Sequence, residues 1–108
     1  MSLWGPIAPW KVIAGTGRSV AVANGSSTTD ATAMGAQTRA CALSLSPATT
    51  AYAVMVTIQN GGVAATATKD ICLKSTDPPL VLGCAPSDKV AVWGLGATGT
   101  LYVTELTH

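Results

Sequence analysis

The sequence predicts an all-β fold: a single-domain β-sandwich or jelly roll of about eight short antiparallel strands over 11–108, preceded by an extended N-terminal arm at 1–10. Three observations predict it. Residues 40–68 carry no charge, yet serine and threonine interrupt the stretch and its apolar residues alternate, which suits a pleated sheet and not a membrane span. Short apolar runs recur between clusters of Gly, Pro, Asn, Asp and Ser. No 3.6-residue amphipathic pattern of helical length is present.

The elements follow in order. Trp4-Gly5-Pro6-Ile7-Ala8-Pro9-Trp10 holds two prolines, which cannot donate to a ladder, so it reads as an arm and not a central strand. Lys11 to Ala14 is a brief strand ended by Gly15-Thr16-Gly17. Arg18 to Ala23 follows, with Val20 and Val22 on one face. Asn24 to Asp30 reads as a polar loop, and Ala31 to Ala36 as either a helical turn or a loop. Gln37 to Leu45 is a strand with Cys41, Leu43 and Leu45 on a shared face. Ala51 to Gln59 carries the clearest alternation, with Tyr52, Val54, Val56 and Ile58 together. Asn60-Gly61-Gly62 suits a hairpin turn, because glycine takes positive φ freely. Val63 to Thr68 and Ile71 to Leu73 continue the meander. Leu80 to Leu82 and Lys89 to Trp93 are strands, the latter with Val90 and Val92 inward. After the Gly94–Gly99 loop, Thr100 to Leu106 closes the chain with Leu101 and Val103 inward and Tyr102 and Thr104 outward.

Length and composition narrow the function classes. At 108 residues the chain fits one domain. Charged residues make up 10%, against a usual ~25%, and mean hydropathy is +0.41. A net charge of +1 gives no basic stripe for nucleic acid. Phenylalanine is absent, and alanine and threonine dominate. Few charges and few bulky anchors imply added burial from neighbours. The expectation is a homo-oligomer, a trimer ahead of a dimer, or docking on a larger assembly; the alternative is a monomer with a tight small-residue core. No window is apolar enough to span a membrane, and Met1 to Pro6 lacks the basic and apolar regions of a secretory signal, so no membrane partner or secretion is expected.

Reactive groups are sparse. Gly94-Leu95-Gly96-Ala97-Thr98-Gly99 matches G-x-G-x-x-G, but a strand follows where a dinucleotide site needs a helix, so a hairpin loop is the better reading. The sole histidine is His108, at the terminus, which leaves a serine or cysteine nucleophile without a base. Asp30, Asp70, Asp77, Asp88 and Glu105 are scattered, mostly beside turns, and are expected in solvent. Cys41, Cys72 and Cys84 match no zinc spacing. Each has an apolar strand-like setting and is expected as a buried free thiol, with a Cys72–Cys84 bridge as the alternative. No catalytic residue, cofactor or metal is expected.

Three segments carry a resemblance. Gly35-Ala36-Gln37-Thr38-Arg39-Ala40, Pro86-Ser87-Asp88-Lys89-Val90-Ala91-Val92 and Gly99-Thr100-Leu101-Tyr102-Val103-Thr104-Glu105-Leu106 resemble, in sequence and in order, strand motifs of small accessory structural proteins of tailed bacteriophages. The resemblance covers Ser19 to the C-terminus. It implies a capsid decoration (cement) protein located in the virion, non-enzymatic, whose partner is the major capsid protein or another virion protein. A tail, neck or fibre component is the alternative within that group. A carbohydrate-binding sandwich using Tyr52, Trp93 and Tyr102 is the alternative outside it. Interfaces of this kind are anchored by aromatics, so the expected contact residues are Trp4, Pro6, Pro9 and Trp10 on the arm, with Trp93 and Tyr102 on the domain. For Trp93, core packing is an equal alternative.

Overall fold

A computed structural model describes residues 10–47, 51–61, 63–66 and 70–107. Among these, nine strands and no helix are present: β1 (Lys11–Val12), β2 (Arg18–Val22), β3 (Ser27–Thr29), β4 (Ala40–Ser46), β5 (Ala53–Asn60), β6 (Ile71–Lys74), β7 (Leu80–Gly83), β8 (Asp88–Leu95) and β9 (Gly99–Thr107). They form two antiparallel sheets. The larger runs β1-β9-β4-β7, with β2 also paired to β9, and the smaller runs β3-β8-β5-β6. The result is a β-sandwich. Except for Trp10, the arm lies outside the described residues, and so do the contact positions Trp4, Pro6 and Pro9.

Alternation builds the core. Val20, Val22, Cys41, Leu43, Leu45, Leu101 and Val103 point inward from the larger sheet, and Val54, Val56, Leu73, Val90 and Val92 meet them from the smaller one. Each fully buried valine here stabilises by about 1.5 kcal/mol or more relative to exposure. Tyr52 closes one end. Its hydroxyl donates to Ser46 O at 2.5 Å, and a Cβ at Gly99 would collide with its ring.

Connectivity departs from a meander. The chain changes sheet at β2–β3, β3–β4, β4–β5, β6–β7, β7–β8 and β8–β9. The Gly94–Gly99 segment is therefore a crossing between sheets, not a hairpin. Gly96 has φ +88°, and a Cβ on Gly94 would lie 2.6 Å from Ala23 O and 2.8 Å from Ala97 O. Close backbone approach accounts for Gly94 and positive φ for Gly96, and no helix follows them.

Three further expectations are corrected. The polar stretch 24–30 contains β3, an edge strand whose Thr28 faces Val92 while Ser27 and Thr29 face outward. Gly61 has φ +79°, but it opens a long connection and not a tight hairpin, since β6 pairs only with Ala53 to Val56 of β5. Val63 to Thr66 form no strand. Within that connection, Ala65 instead lies against the outer side of β3. Ala65 is buried, and its amide donates to Ser27 Oγ at 3.0 Å. On the same outer face, Met55, Thr57 and Ala91 point away from the core yet are buried.

Candidate functional site

Two features stand out: a buried charge cluster at one end of the sandwich, and a neutral, partly exposed face on the larger sheet.

The cluster arises where the inward alternation of two strands reaches a charged residue. Arg18 continues the Val20–Val22 side of β2, and Glu105 continues the Leu101–Val103 side of β9. Arg18 Nε donates to Asp30 Oδ2 at 2.5 Å and Nη1 to Glu105 Oε2 at 2.6 Å. Asp30 and Glu105 are 6% and 4% exposed, which corrects the expectation of solvated acids. Glu105 Oε1 also accepts from Gly35 N at 2.9 Å and Thr38 Oγ1 at 2.5 Å. Arg18 Nη1 donates to Thr16 O at 3.0 Å, and Asp30 Oδ1 accepts from Thr32 N at 3.0 Å.

The electrostatics follow from these contacts. Burial by itself raises the Glu105 pKa, but the donors Gly35, Thr38 and Arg18 outweigh it and hold the carboxyl below its ordinary range. Burial works against the Arg18 charge in the same way, and Asp30 and Glu105 more than offset it. Glu105 is thus kept as a carboxylate, the opposite of what a general acid at neutral pH requires. No buried side-chain polar atom among the described residues lacks a partner. The cluster ties the 30–38 loop to β2 and β9.

The cysteines do not form a reactive centre. All three are free thiols. Cys41 is fully buried, and desolvation together with its neighbour Cys84 pushes its pKa up to about 12. Cys84, partly buried, is likewise raised, mainly by burial. Cys72 is exposed, a correction to the expected buried setting, and the Cys72–Cys84 bridge is not made. Among the described residues no group of His, Cys, Asp and Glu could hold a metal ion, and no helix is long and apolar enough to cross a membrane. A groove of about 360 Å³ opens beside β6 and β7, lined by Val56, Ile58, Ile71 and Leu82. Its Asp70 carboxylate is already engaged by Thr66.

The neutral face is set by register. Outward residues of the larger sheet align across its strands: Ser19, Tyr102 and Ser44 in one row, Thr104, Ala42 and Val81 in the next. Ala21, Thr100 and Ser46 flank them on one side, and Val12, Leu106, Ala40 and Gly83 on the other, where Leu106 and Ala40 are buried. None is charged. Tyr102 is 48% exposed, Val81 45% and Val12 66%. Trp10, just ahead of β1, is also exposed. The smaller sheet differs: its outer face carries Lys74 and Lys89 and lies under its own chain around Ala65. Trp93 sits on that second face, half-buried, in register with Ser27 and Met55 and outside the core between the sheets. The expected contact residues on the domain therefore divide: Tyr102 lies on the neutral face, and Trp93 is on the opposite side of the sandwich.

Comparison with known proteins gives no match: no protein family, no curated protein and no solved structure is similar to this chain.

Proposed function

We propose that this chain is a non-enzymatic structural protein of a tailed-phage virion, acting as a capsid decoration (cement) protein that bridges shell subunits. The observation that carries the reading is the outer face of the larger sheet: uncharged throughout, built of small residues, and bearing exposed Tyr102, Val81 and Val12. A face of that kind docks without desolvating any charge, and cores of protein interfaces are depleted in charge and enriched in aromatics. The strand motifs 35–40, 86–92 and 99–106, which resemble those of phage accessory proteins, support the same reading. So does the charge cluster, whose carboxylates are all committed to structural partners.

Quantifying the protein in purified particles tests the proposal. A decoration protein is present in a stoichiometric ratio to the major shell protein, and Tyr102→Lys lowers its binding to shells while leaving the fold intact. A strongly substoichiometric amount points to a tail, neck or fibre part. Absence from intact particles overturns the virion reading.

A further inference from the structure

We infer that Asn60-Gly61, where β5 ends, is a site of self-modification: the side-chain amide of Asn60 is converted to a carboxyl group, while the same dipeptide at Asn24-Gly25 is kept intact by the fold.

Chemistry is the first argument. In an Asn-Gly pair the glycine amide nitrogen attacks the asparagine Cγ. An N–Cγ bond forms, the Cγ–Nδ2 bond breaks, and ammonia leaves with the proton that the backbone nitrogen gives up. Water then opens the five-membered imide at either carbonyl, leaving aspartate or isoaspartate. No oxidant, metal or second protein takes part. Glycine favours the step because no Cβ shields its nitrogen. The sequence holds two such pairs, 24–25 and 60–61.

The structure separates them. Both asparagines are exposed, so access of water is not the difference. At the first pair each reacting group is tethered. Gly25 N donates to Gly94 O at 2.9 Å, and Asn24 Oδ1 accepts from Gly96 N at 3.0 Å. Gly94 N donates in turn to Ala23 O at 3.1 Å, so the segment is bonded on both sides of Asn24. At the second pair Asn60 is the last rung of β5, opposite Asp88, and β6 has already ended at Ile71 opposite Val56. One strand therefore flanks Asn60 where two flank Val56. End rungs open at little free-energy cost, and an opened rung lets the Asn60 Cγ swing onto the Gly61 nitrogen.

The product changes the end of the sheet. It sets a new carboxylate opposite Asp88, whose Oδ2 accepts from Ala85 N at 2.9 Å. Like charges directly opposite one another weaken a ladder, and isoaspartate adds a backbone methylene that spoils the register. The formal net charge of +1 is cancelled. The modified chain is thus more acidic and looser where β5 meets β8.

Ageing the full chain at mildly alkaline pH, followed by peptide mass spectrometry, tests the inference. In the folded protein Asn60 converts at least roughly tenfold faster than Asn24, as the difference in local opening requires, and the isoelectric point falls in step. In urea, where the tethers are gone, the two pairs react at similar rates. Asn60→Gln, whose cyclisation needs a six-membered ring and is far slower, removes the acidic shift. Equal conversion of the two pairs in the folded chain, faster conversion at Asn24, or an Asn60 that stays intact while the denatured chain reacts overturns the inference. A preference for Asn60 that persists undiminished in urea assigns the difference to neighbouring sequence and overturns it as well.

Discussion

Arg18 Nη1 lies 2.6 Å from Glu105 Oε2, although 87 positions of chain separate the two residues. The contact joins the first residue of β2 to β9, and through Gly35, Thr38 and Thr32 it gathers the 30–38 loop onto the end of the sandwich. Two carboxylates share one guanidinium there, so backbone and hydroxyl donors supply the rest of the compensation.

Glu105→Gln preserves shape and removes the charge facing Arg18. Breaking one side of a buried pair costs about 3 kcal/mol. Urea denaturation should show a clearly lowered midpoint with an unchanged slope. An unaltered midpoint would mean that the pair contributes nothing beyond its own desolvation.

Stability should also fall in acid through this residue. The folded state depresses the Glu105 pKa, so the folded carboxyl binds its proton less readily than the unfolded one. The contribution is complete above the unfolded value of about 4.3 and is lost as pH drops through the lower folded value. Thermal melts should be flat with respect to this group from pH 5 to pH 7 (approximate bounds, set by that value) and decline below. Glu105→Gln should be less stable at neutral pH and show a shallower acid decline. Parallel acid limbs for the two proteins would assign the acid sensitivity to other groups.

The thiols should react in a fixed order. Cys72 is exposed, Cys84 partly buried, and Cys41 buried with its pKa pushed up to about 12. Since the thiolate is the nucleophile, brief iodoacetamide treatment should label Cys72 first, Cys84 slowly, and Cys41 only in denaturant. Peptide mass spectrometry reads this directly, and early labelling of Cys41 would contradict the packing of β4.

Gly94→Ala should cost about 2 kcal/mol, the usual penalty of overpacking. The added methyl would meet Ala23 O and Ala97 O, both backbone atoms and thus unable to swing away. Gly83→Ala is the matched control, because nothing lies within 4 Å of a Cβ there. Equal melting temperatures for the two variants would show that the β8–β9 crossing relaxes freely.

Side-chain period made the core legible. Cys41, Leu43 and Leu45, Val54 and Val56, Val90 and Val92, and Leu101 and Val103 all point inward as their alternation requires. Pairing was not legible, because period two says which face a residue takes but not which strand lies beside it. Hence β8 and β9, adjacent in sequence, belong to different sheets. Strand β3 escaped notice since Thr28 is its single inward residue and its neighbours are polar. The charge cluster did leave a trace: Arg18 and Glu105 each occupy an inward place in an otherwise apolar alternation, and two opposite charges so placed can satisfy one another. Asp30, at the end of a polar run, left none.

The segment resting on Ser27 through Ala65 has a consequence for how large an assembly can become. A slab with two bare sides stacks without end, and the product is a fibre. Here the side around Met55, Thr57 and Ala91 is already covered, so a further sheet cannot lie flat against it. A protein made largely of neutral β-structure thereby keeps from polymerising along that direction.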